Sequence, residues 1–204
     1  MGKYTGVLFA AAFGAASFTS ISSAFSGQQF MPSGGLTTQP IGHYEYCQRS
    51  PRECSGRSAS ARPVELTRKL WSRMIEINNL VNTMVRPRTD MEIWGVEERW
   101  SFPVNGVGDC EDYALEKQRL LVKAGVPLGD LMVTVVRQPN GDGHAVLTVR
   151  TGMGDYILDN LEPRVLAWNE TAYQFLKHQS QRNPGAWVSV ADDRQIVVGS
   201  VKRK

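Results

Sequence analysis

The sequence lacks any block of lysine and arginine before its last three residues, Lys202-Arg203-Lys204, and its formal net charge is only +3. A charge this small gives no indication of nucleic-acid binding, and a short basic tail is typical of a solvated terminus. The composition is otherwise that of a folded protein, with 42% hydrophobic and 21% charged residues. A chain of 204 residues can form one domain with a substantial core.

A long hydrophobic run is also absent, since a membrane-spanning helix needs about 20 apolar residues. The main apolar stretch, Val7 to about Phe18, is shorter and follows Lys3, the only charged residue before Glu45. Small residues ending at Ala24 come next, which is the order of a secretory signal. We predict a signal peptide over residues 1–24, cleavage near Ala24, and a periplasmic or secreted protein without stable membrane insertion. The alternative is an uncleaved anchor.

Cysteine is scarce, with three residues in the chain. Cys47 and Cys54 lie seven residues apart in a loop-like segment, where they are expected to pair in an oxidising compartment. The alternatives are two free thiols, or a metal pair without its partners. No second Cys/His pair with metal spacing exists, which argues against zinc. Cys110 is left as an odd and potentially reactive thiol.

The chain divides into an arm and a domain. Residues 25–62 are rich in Gly, Ser, Pro and Gln and predict an extended N-terminal arm that carries the Cys47/Cys54 turn. Residues 63–204 predict the folded domain, in which Pro63 can begin a helix. Apolar residues at helical spacing then define an amphipathic stripe: Leu66, Leu70, Ile77, Val81 and Met84.

A second helix and an antiparallel meander follow a loop-like stretch over residues 86–108. Asp109 can cap a helix from Cys110 to about Ala124, which Gly125 ends. Turn chemistry separates three predicted strands, Leu131–Arg137, His144–Arg150 and Tyr156–Asp159. The remaining predictions are a short helix near Thr171–Gln179 and late strands near Trp187–Val190 and Ile196–Val198.

Cys110, His144 and Asp159 each fall at the end of a predicted element, where functional side chains tend to sit. A helix N-terminus favours the thiolate of Cys110, a nearby imidazole takes the proton, and a carboxylate orients that imidazole. The Cys110 amide could stabilise an oxyanion, with Asn105 as a further candidate donor. Taken singly, the three residues are equally compatible with a buried cysteine, a surface histidine and a turn aspartate.

Three acidic residues, Asp109, Glu111 and Asp112, surround the predicted nucleophile and oppose its ionisation. A bound cation would remove this conflict, and carboxylate oxygens in a tight turn suit Ca²⁺. The alternative is that Asp109 caps the helix while Glu111 and Asp112 interact with its dipole.

The segments that carry these residues resemble the bacterial transglutaminase-like cysteine proteases, a family that includes the LapG-like periplasmic enzymes. The similarity covers roughly residues 43–190. It rests on the run Gly108 to Ala114 with Lys117 and Leu121, on His144 to Leu147, and on Ile157 to Leu161. The Trp100-Phe102-Pro103 approach and the Cys47/Cys54 pair are also similar, whereas Glu98 stands where the family often has Asp.

The resemblance implies an α+β, papain/transglutaminase-like fold with the catalytic Cys at a helix N-terminus packed on an antiparallel sheet. It implies a Cys110-His144-Asp159 triad, a thioester intermediate, and calcium held by Asp109, Glu111 and Asp112. It also implies a protein substrate such as a surface adhesin, and a regulatory inner-membrane protein. Two alternatives use the same fold: acyl transfer to an amine, as in transglutaminases and amidases, and a binding module without catalysis.

Overall fold

A seven-stranded antiparallel sheet organises the computed structural model, in the order β1-β9-β8-β4-β5-β6-β7. The structure describes residues 1–2, 29–56 and 62–194. The predicted signal peptide, apart from its first two residues, and the predicted strand near Ile196–Val198 lie outside the described residues. The sheet strands are β1 (Ser33–Thr37), β4 (Leu131–Arg137), β5 (Gly143–Thr151), β6 (Gly154–Leu158), β7 (Leu166–Ala167), β8 (Gln174–Ser180) and β9 (Asn183–Val190).

Five helices and a small second sheet complete the described fold, which is α+β. The helices are α1 (Ile41–Arg49), α2 (Pro51–Cys54), α3 (Arg68–Met84), α4 (Asp90–Trp94) and α5 (Cys110–Lys123). Strands β2 (Arg86–Pro87) and β3 (Val107–Gly108) pair in parallel. Among the described residues, none of the helices combines the length and apolar character needed to span a bilayer.

The two faces of the sheet bury different cores, as the two-residue period of a strand requires. Val133 and Leu147 point to the face covered by α3 and α5, where they pack with Leu121. Val136 and Val146 point to the opposite face. That smaller core also contains Met31, Ile157, Trp168, Phe175 and Val190. The predicted meander is confirmed: β4 pairs with β5 and β5 with β6, each antiparallel.

Two helix predictions are confirmed, with one change at a boundary. The first helix begins at Arg68 and not at Pro63, because the Thr67 hydroxyl accepts a hydrogen bond from the amide of Leu70 and so caps the helix there. The second runs from Cys110 to Lys123, and Gly125 ends it with φ of 93°. Asp109 occupies the N-cap position, but its side chain makes no capping hydrogen bond.

The prediction of an extended arm is wrong for its described part. Residues 29–56 contain strand β1, which pairs with β9, and helices α1 and α2, which the Cys47–Cys54 disulfide joins. His43 on α1 is fully buried and packs edge-on against Trp100 and Trp187. This segment therefore contributes to the domain core, since burial of apolar surface outweighs the freedom of a Gly- and Ser-rich chain.

The predicted helix at Thr171–Gln179 is also wrong, because the segment from Gln174 to Ser180 is strand β8. It lies between β4 and β9, so its backbone hydrogen bonds are made across the sheet. The predicted loop at residues 86–108 contains the short helix α4. That helix has a capping box between Thr89 and Glu92.

Candidate active site

His144 and Asp159 come together where β5 begins and β6 ends. The Nε2 atom of His144 lies 2.8 Å from Oδ1 of Asp159, and both side chains are buried. Burial tends to raise the pKa of Asp159, but hydrogen bonds from His144, Leu161 and Tyr173 outweigh burial and lower it overall. The carboxylate is therefore ionised and can only accept, so Nε2 of His144 carries the hydrogen and Nδ1 remains as the basic nitrogen.

The predicted nucleophile, Cys110, is half-buried at the first position of α5. The main-chain amide of Ala145, the residue that follows His144, lies close enough to the sulfur of Cys110 to interact with it. The Cys110 thiol also donates to Oε2 of Glu111, with the two atoms 3.1 Å apart. Burial and the neighbouring Glu111 raise the pKa of Cys110, whereas the Ala145 amide acts to lower it.

Tyr173 is a site residue that the sequence prediction missed. Its hydroxyl donates to Oδ2 of Asp159 at 2.5 Å, and its ring lies 5.6 Å from the His144 ring, centroid to centroid. Burial, followed by the hydrogen bond to Asp159, raises the pKa of Tyr173. The sequence around Tyr173 gives no indication of this role, because Tyr173 reaches Asp159 only when β8, which follows it, pairs into the sheet.

Asp109 and Asp112 come together, but their third partner is Asp90. Carboxylate oxygens of these three residues all lie within 4.8 Å of one another. Burial raises the pKa of Asp109 to about 6, with the charge of Asp90 as the next cause, and burial raises the pKa of Asp112 to about 8. Three buried carboxyl groups this close oppose one another's ionisation.

Glu111 does not belong to this group, because its carboxylate contacts the Cys110 sulfur. Burial, followed by the charge of Asp109, raises the pKa of Glu111 to about 9. Glu98 is exposed and accepts a hydrogen bond from the Trp100 indole at 3.1 Å. Asn105, the candidate oxyanion donor, is exposed in a left-handed conformation in the turn before β3.

The pairing of two short strands explains how Asp90 reaches the cluster. In the parallel pair β2–β3, Pro87 lies opposite Gly108, so α4 begins beside the start of α5. The amide of Asp90 donates to Oδ2 of Asp109 at 3.3 Å. Gly108 is needed here, because a Cβ atom at this position would lie 2.7 Å from Oδ2 of Asp112.

Backbone amides in the segment before Phe102 hold two of these carboxylates, those of Asp90 and Asp112. The amide of Arg99 donates to Oδ2 of Asp90, and the amide of Ser101 donates to Oδ1 of Asp112 at 2.8 Å. One oxygen of Asp90 and one of Asp109, the Oδ1 atom in each case, are buried without a hydrogen-bond partner. Buried acceptors without partners are costly, so these oxygens point to a missing ligand.

A cavity of about 310 Å³ adjoins the His144–Asp159 pair on the side of Tyr173. Its walls combine apolar and charged side chains, with Asp159 and Tyr173 at one end. The other residues that line the cavity are Ile157, Leu161, Glu162, Arg164, Leu166, Glu170, Thr171 and Ala172.

Comparison with known proteins identifies one family. The profile of the bacterial transglutaminase-like cysteine proteinases matches residues 33–195. A solved structure of Legionella pneumophila LapG is 28% identical, with a TM-score of 0.50, and the match covers 61% of this chain and 70% of that chain. Calcium-bound LapG from the same organism is 21% identical with a TM-score of 0.50, covering 74% of this chain and 90% of the other. The comparison with curated proteins returns no match.

Proposed function

The chain belongs to the bacterial transglutaminase-like cysteine proteinases, and from this premise we propose that Cys110, His144 and Asp159 form its catalytic triad. The observation that carries the proposal is the hydrogen bond from Nε2 of His144 to Asp159, and the amide of Ala145 next to His144 also interacts with the Cys110 sulfur. A nucleophile, a base and a group that orients the base are the parts that covalent peptide hydrolysis needs.

In the acylation step, Nδ1 of His144 takes the proton of the Cys110 thiol, and the sulfur attacks the carbonyl carbon of the scissile bond. The C–N bond then breaks, and the protonated imidazole gives its proton to the departing amine. This leaves a thioester on Cys110. The Cys110 amide at the start of α5 is a donor that can stabilise the oxyanion formed during attack.

In the deacylation step, His144 removes a proton from a water molecule, and the resulting hydroxide attacks the thioester carbonyl. The carbon–sulfur bond breaks, the sulfur recovers the proton, and a carboxylic acid leaves. Asp159 keeps the imidazole oriented throughout and stabilises its cationic form. The lowered pKa of Asp159 fits this role, because its charge persists through the cycle.

Calcium binding by Asp90, Asp109 and Asp112 is part of the proposal. The donor set fits, since Ca²⁺ takes carboxylate oxygens and two of the carboxylates have a buried oxygen without a partner. A bound ion would supply positive charge that offsets the repulsion among the acids beside Cys110. A calcium-bound form of LapG is known, which supports calcium as the ion to test but says nothing about which residues of this chain would hold it. The structure favours Asp90 over Glu111 as the third residue.

The substrate we propose is a protein of the periplasm or cell surface, such as an adhesin. The signal peptide predicted over residues 1–24 supports export, and the family supports a protein substrate. The cavity beside Tyr173 can take a substrate side chain. Control by an inner-membrane protein, as the family resemblance implies, completes this proposal.

Cleavage of a proteome-derived peptide library tests the proposal, with Cys110→Ala and Asp159→Asn as variants and mass spectrometry as the readout. We expect Cys110→Ala to abolish cleavage and Asp159→Asn to lower kcat by about 10²–10⁴-fold. A labelled amine added to the reaction separates hydrolysis from acyl transfer. Equal cleavage by the wild type and Cys110→Ala would refute the triad, and products carrying the amine in place of hydrolysis would identify a transferase.

A further inference from the structure

The cavity beside Tyr173 adjoins the base of the proposed triad and not its nucleophile. Asp159 and Tyr173 line it, and both interact with His144. Among the described residues that line it, none belongs to α5, the helix that begins with Cys110. Since His144 gives its proton to the departing amine, the cavity lies toward the part of a substrate that follows the scissile bond.

The walls of the cavity carry a net negative charge. Three acidic side chains line it, Asp159, Glu162 and Glu170, and one basic side chain, Arg164, so their net charge is −2. Arg164 is already engaged, because its guanidinium donates to both carboxylate oxygens of Glu162, at 2.9 and 2.7 Å. Both oxygens of Asp159 also accept hydrogen bonds from neighbouring side chains. The carboxylate that remains available to a ligand is that of Glu170.

Glu170 is held in place and yet keeps one oxygen available. Its Oε2 atom accepts a hydrogen bond from the amide of Ala167 at 3.1 Å, whereas Oε1 makes no hydrogen bond within the described part of the chain. The turn that carries it, the 3₁₀ helix Trp168–Glu170, is anchored because Trp168 is buried against Phe175 in the smaller core. A carboxylate oriented in this way loses little freedom when a cation binds to it.

Apolar side chains between these charges suit the stem of a long side chain. Leu161 lines the cavity together with Ile157 and Leu166, which lie opposite each other on β6 and β7. Leu161 is 56% exposed, so a substrate that covers it buries apolar surface. The volume of about 310 Å³ is at the lower end for ligand sites, which fits one side chain better than several. Lysine and arginine combine an apolar stem with a charged head.

We propose that this cavity is a substrate subsite that binds a lysine or arginine side chain on the C-terminal side of the scissile bond, with Glu170 as its charge partner. The inference rests on the proposed function and deepens it, because it names the class of sequence that the protease cleaves. Glu170 determines specificity and takes no part in the bond-breaking steps. Since Glu170 is exposed, the attraction is moderate and depends on ionic strength.

The test uses a peptide that the wild type cleaves, taken from the proteome-derived library. The peptide is synthesised with lysine, arginine, norleucine or glutamate at each of the first three positions after the scissile bond, and kcat/KM is measured for every version. Glu170→Gln removes the charge but keeps an oxygen for the Ala167 amide, and Arg164→Gln removes the positive charge from the wall. Glu65→Gln, at an exposed position outside the cavity, is the matched control. Thermal unfolding shows whether each variant is folded.

At one of these positions we expect the basic peptides to be cleaved about three- to fivefold faster than the norleucine peptide at low salt, and the glutamate peptide to be cleaved more slowly. Glu170→Gln should lower the ratio of lysine to norleucine cleavage to about one, because the charge partner is lost. Arg164→Gln should raise this ratio, and Glu65→Gln should leave it unchanged. Salt at about 0.5 M should remove the preference, because it screens exposed charges.

Cleavage with no basic preference at any of these positions, or a preference that Glu170→Gln leaves intact, would overturn the inference while the protease activity stands. If Glu170→Gln does not fold, Arg164→Gln decides: a higher ratio supports the negatively charged subsite, and an unchanged ratio overturns it. Failure of the wild type to cleave any peptide would instead refute the proposed function, and the inference with it.

Discussion

The hydroxyl of Tyr173 donates to Oδ2 of Asp159, the carboxylate oxygen that His144 does not use. Oδ1 accepts from His144 and from the amide of Leu161, so both oxygens are engaged and the carboxylate cannot rotate freely. Tyr173 also packs its ring against His144. The orientation of the imidazole therefore depends on Tyr173 as well as on Asp159.

Tyr173→Phe is expected to lower kcat about tenfold with little change in KM, because a hydrogen bond to a charged group contributes about 1.5–3 kcal/mol. Loss of this donor also raises the pKa of Asp159, so the acid limb of the pH profile moves to higher pH. Steady-state kinetics across pH measures both effects. Tyr44→Phe, at an exposed position on α1, is the matched control. A KM effect without a kcat effect would instead assign Tyr173 to substrate binding.

The elements that carry the triad could be predicted because each has a strong local signal. The α5 boundaries follow from Asp109 and Gly125, and the meander follows from Gly-rich turns between β-branched runs. His144 at the start of β5 and Asp159 just after β6 are then brought near each other because the two strands pair antiparallel, with Leu147 opposite Leu158. Their hydrogen bond in the structure agrees with that prediction, and their catalytic role remains a proposal.

The rest of the fold and of the candidate site could not be predicted from the sequence, because it depends on contacts between segments that are distant along the chain. The segment Gln174–Ser180 has only two apolar residues, Phe175 and Leu176, so its sequence does not distinguish a strand from a helix. Its pairing with β4 and β9 makes it strand β8. Asp90 precedes Asp109 by 19 residues, and the two-residue pairing of β2 with β3 is too short to recognise in a sequence. Glu111 lies between Asp109 and Asp112 in the sequence, which suggests a shared cation site, but its carboxylate contacts the sulfur of Cys110.

The assignment of the cation site predicts different effects for Asp90 and Glu111. Saturating Ca²⁺ at about 100 times its Kd should stabilise the wild type by about 2.7 kcal/mol relative to the protein in EGTA. Asp90→Asn should lose most of this stabilisation because it removes a ligand, whereas Glu111→Gln should keep it. Thermal unfolding with Ca²⁺ and with EGTA measures the difference, and Glu65→Gln, at an exposed position before α3, is the control. The opposite pattern, with Glu111 essential and Asp90 dispensable, would restore the ligand set predicted from the sequence.

The Cys47–Cys54 disulfide closes a short loop between α1 and α2, so its expected contribution to stability is modest. In the chain-entropy model a loop of this length contributes about 2 kcal/mol. The double variant Cys47→Ser/Cys54→Ser should therefore unfold at lower urea concentration, with a similar dependence on denaturant. Urea titration followed by tryptophan fluorescence is suitable, because His43 on α1 packs against Trp100 and Trp187. A midpoint equal to that of the wild type would show that packing alone holds α1 and α2.

The burial of His43 predicts loss of stability in mild acid. Trp187 donates its indole N–H to Nδ1 of His43 at 3.1 Å, which requires a ring nitrogen without a proton, and burial lowers the pKa of His43 to about 4. The unfolded chain takes up this proton near pH 6.5, whereas the folded protein resists it until about pH 4. The free energy of unfolding should therefore fall as the pH drops from about 6.5 to 4, by up to about 3 kcal/mol from this group.

The variant His43→Gln separates the contribution of His43 to the pH dependence of stability from the contributions of the carboxylates and of His178. Burial also lowers the pKa of His178. The variant should be less stable than the wild type at pH 7, because it loses the fit to Trp187, but its stability should decline less steeply between pH 6.5 and 4. Urea titrations at half-unit steps of pH give the difference between the two curves. A difference that stays constant across this range would mean that His43 takes up its proton at the same pH in the folded protein as in the unfolded chain, which would contradict the lowered pKa.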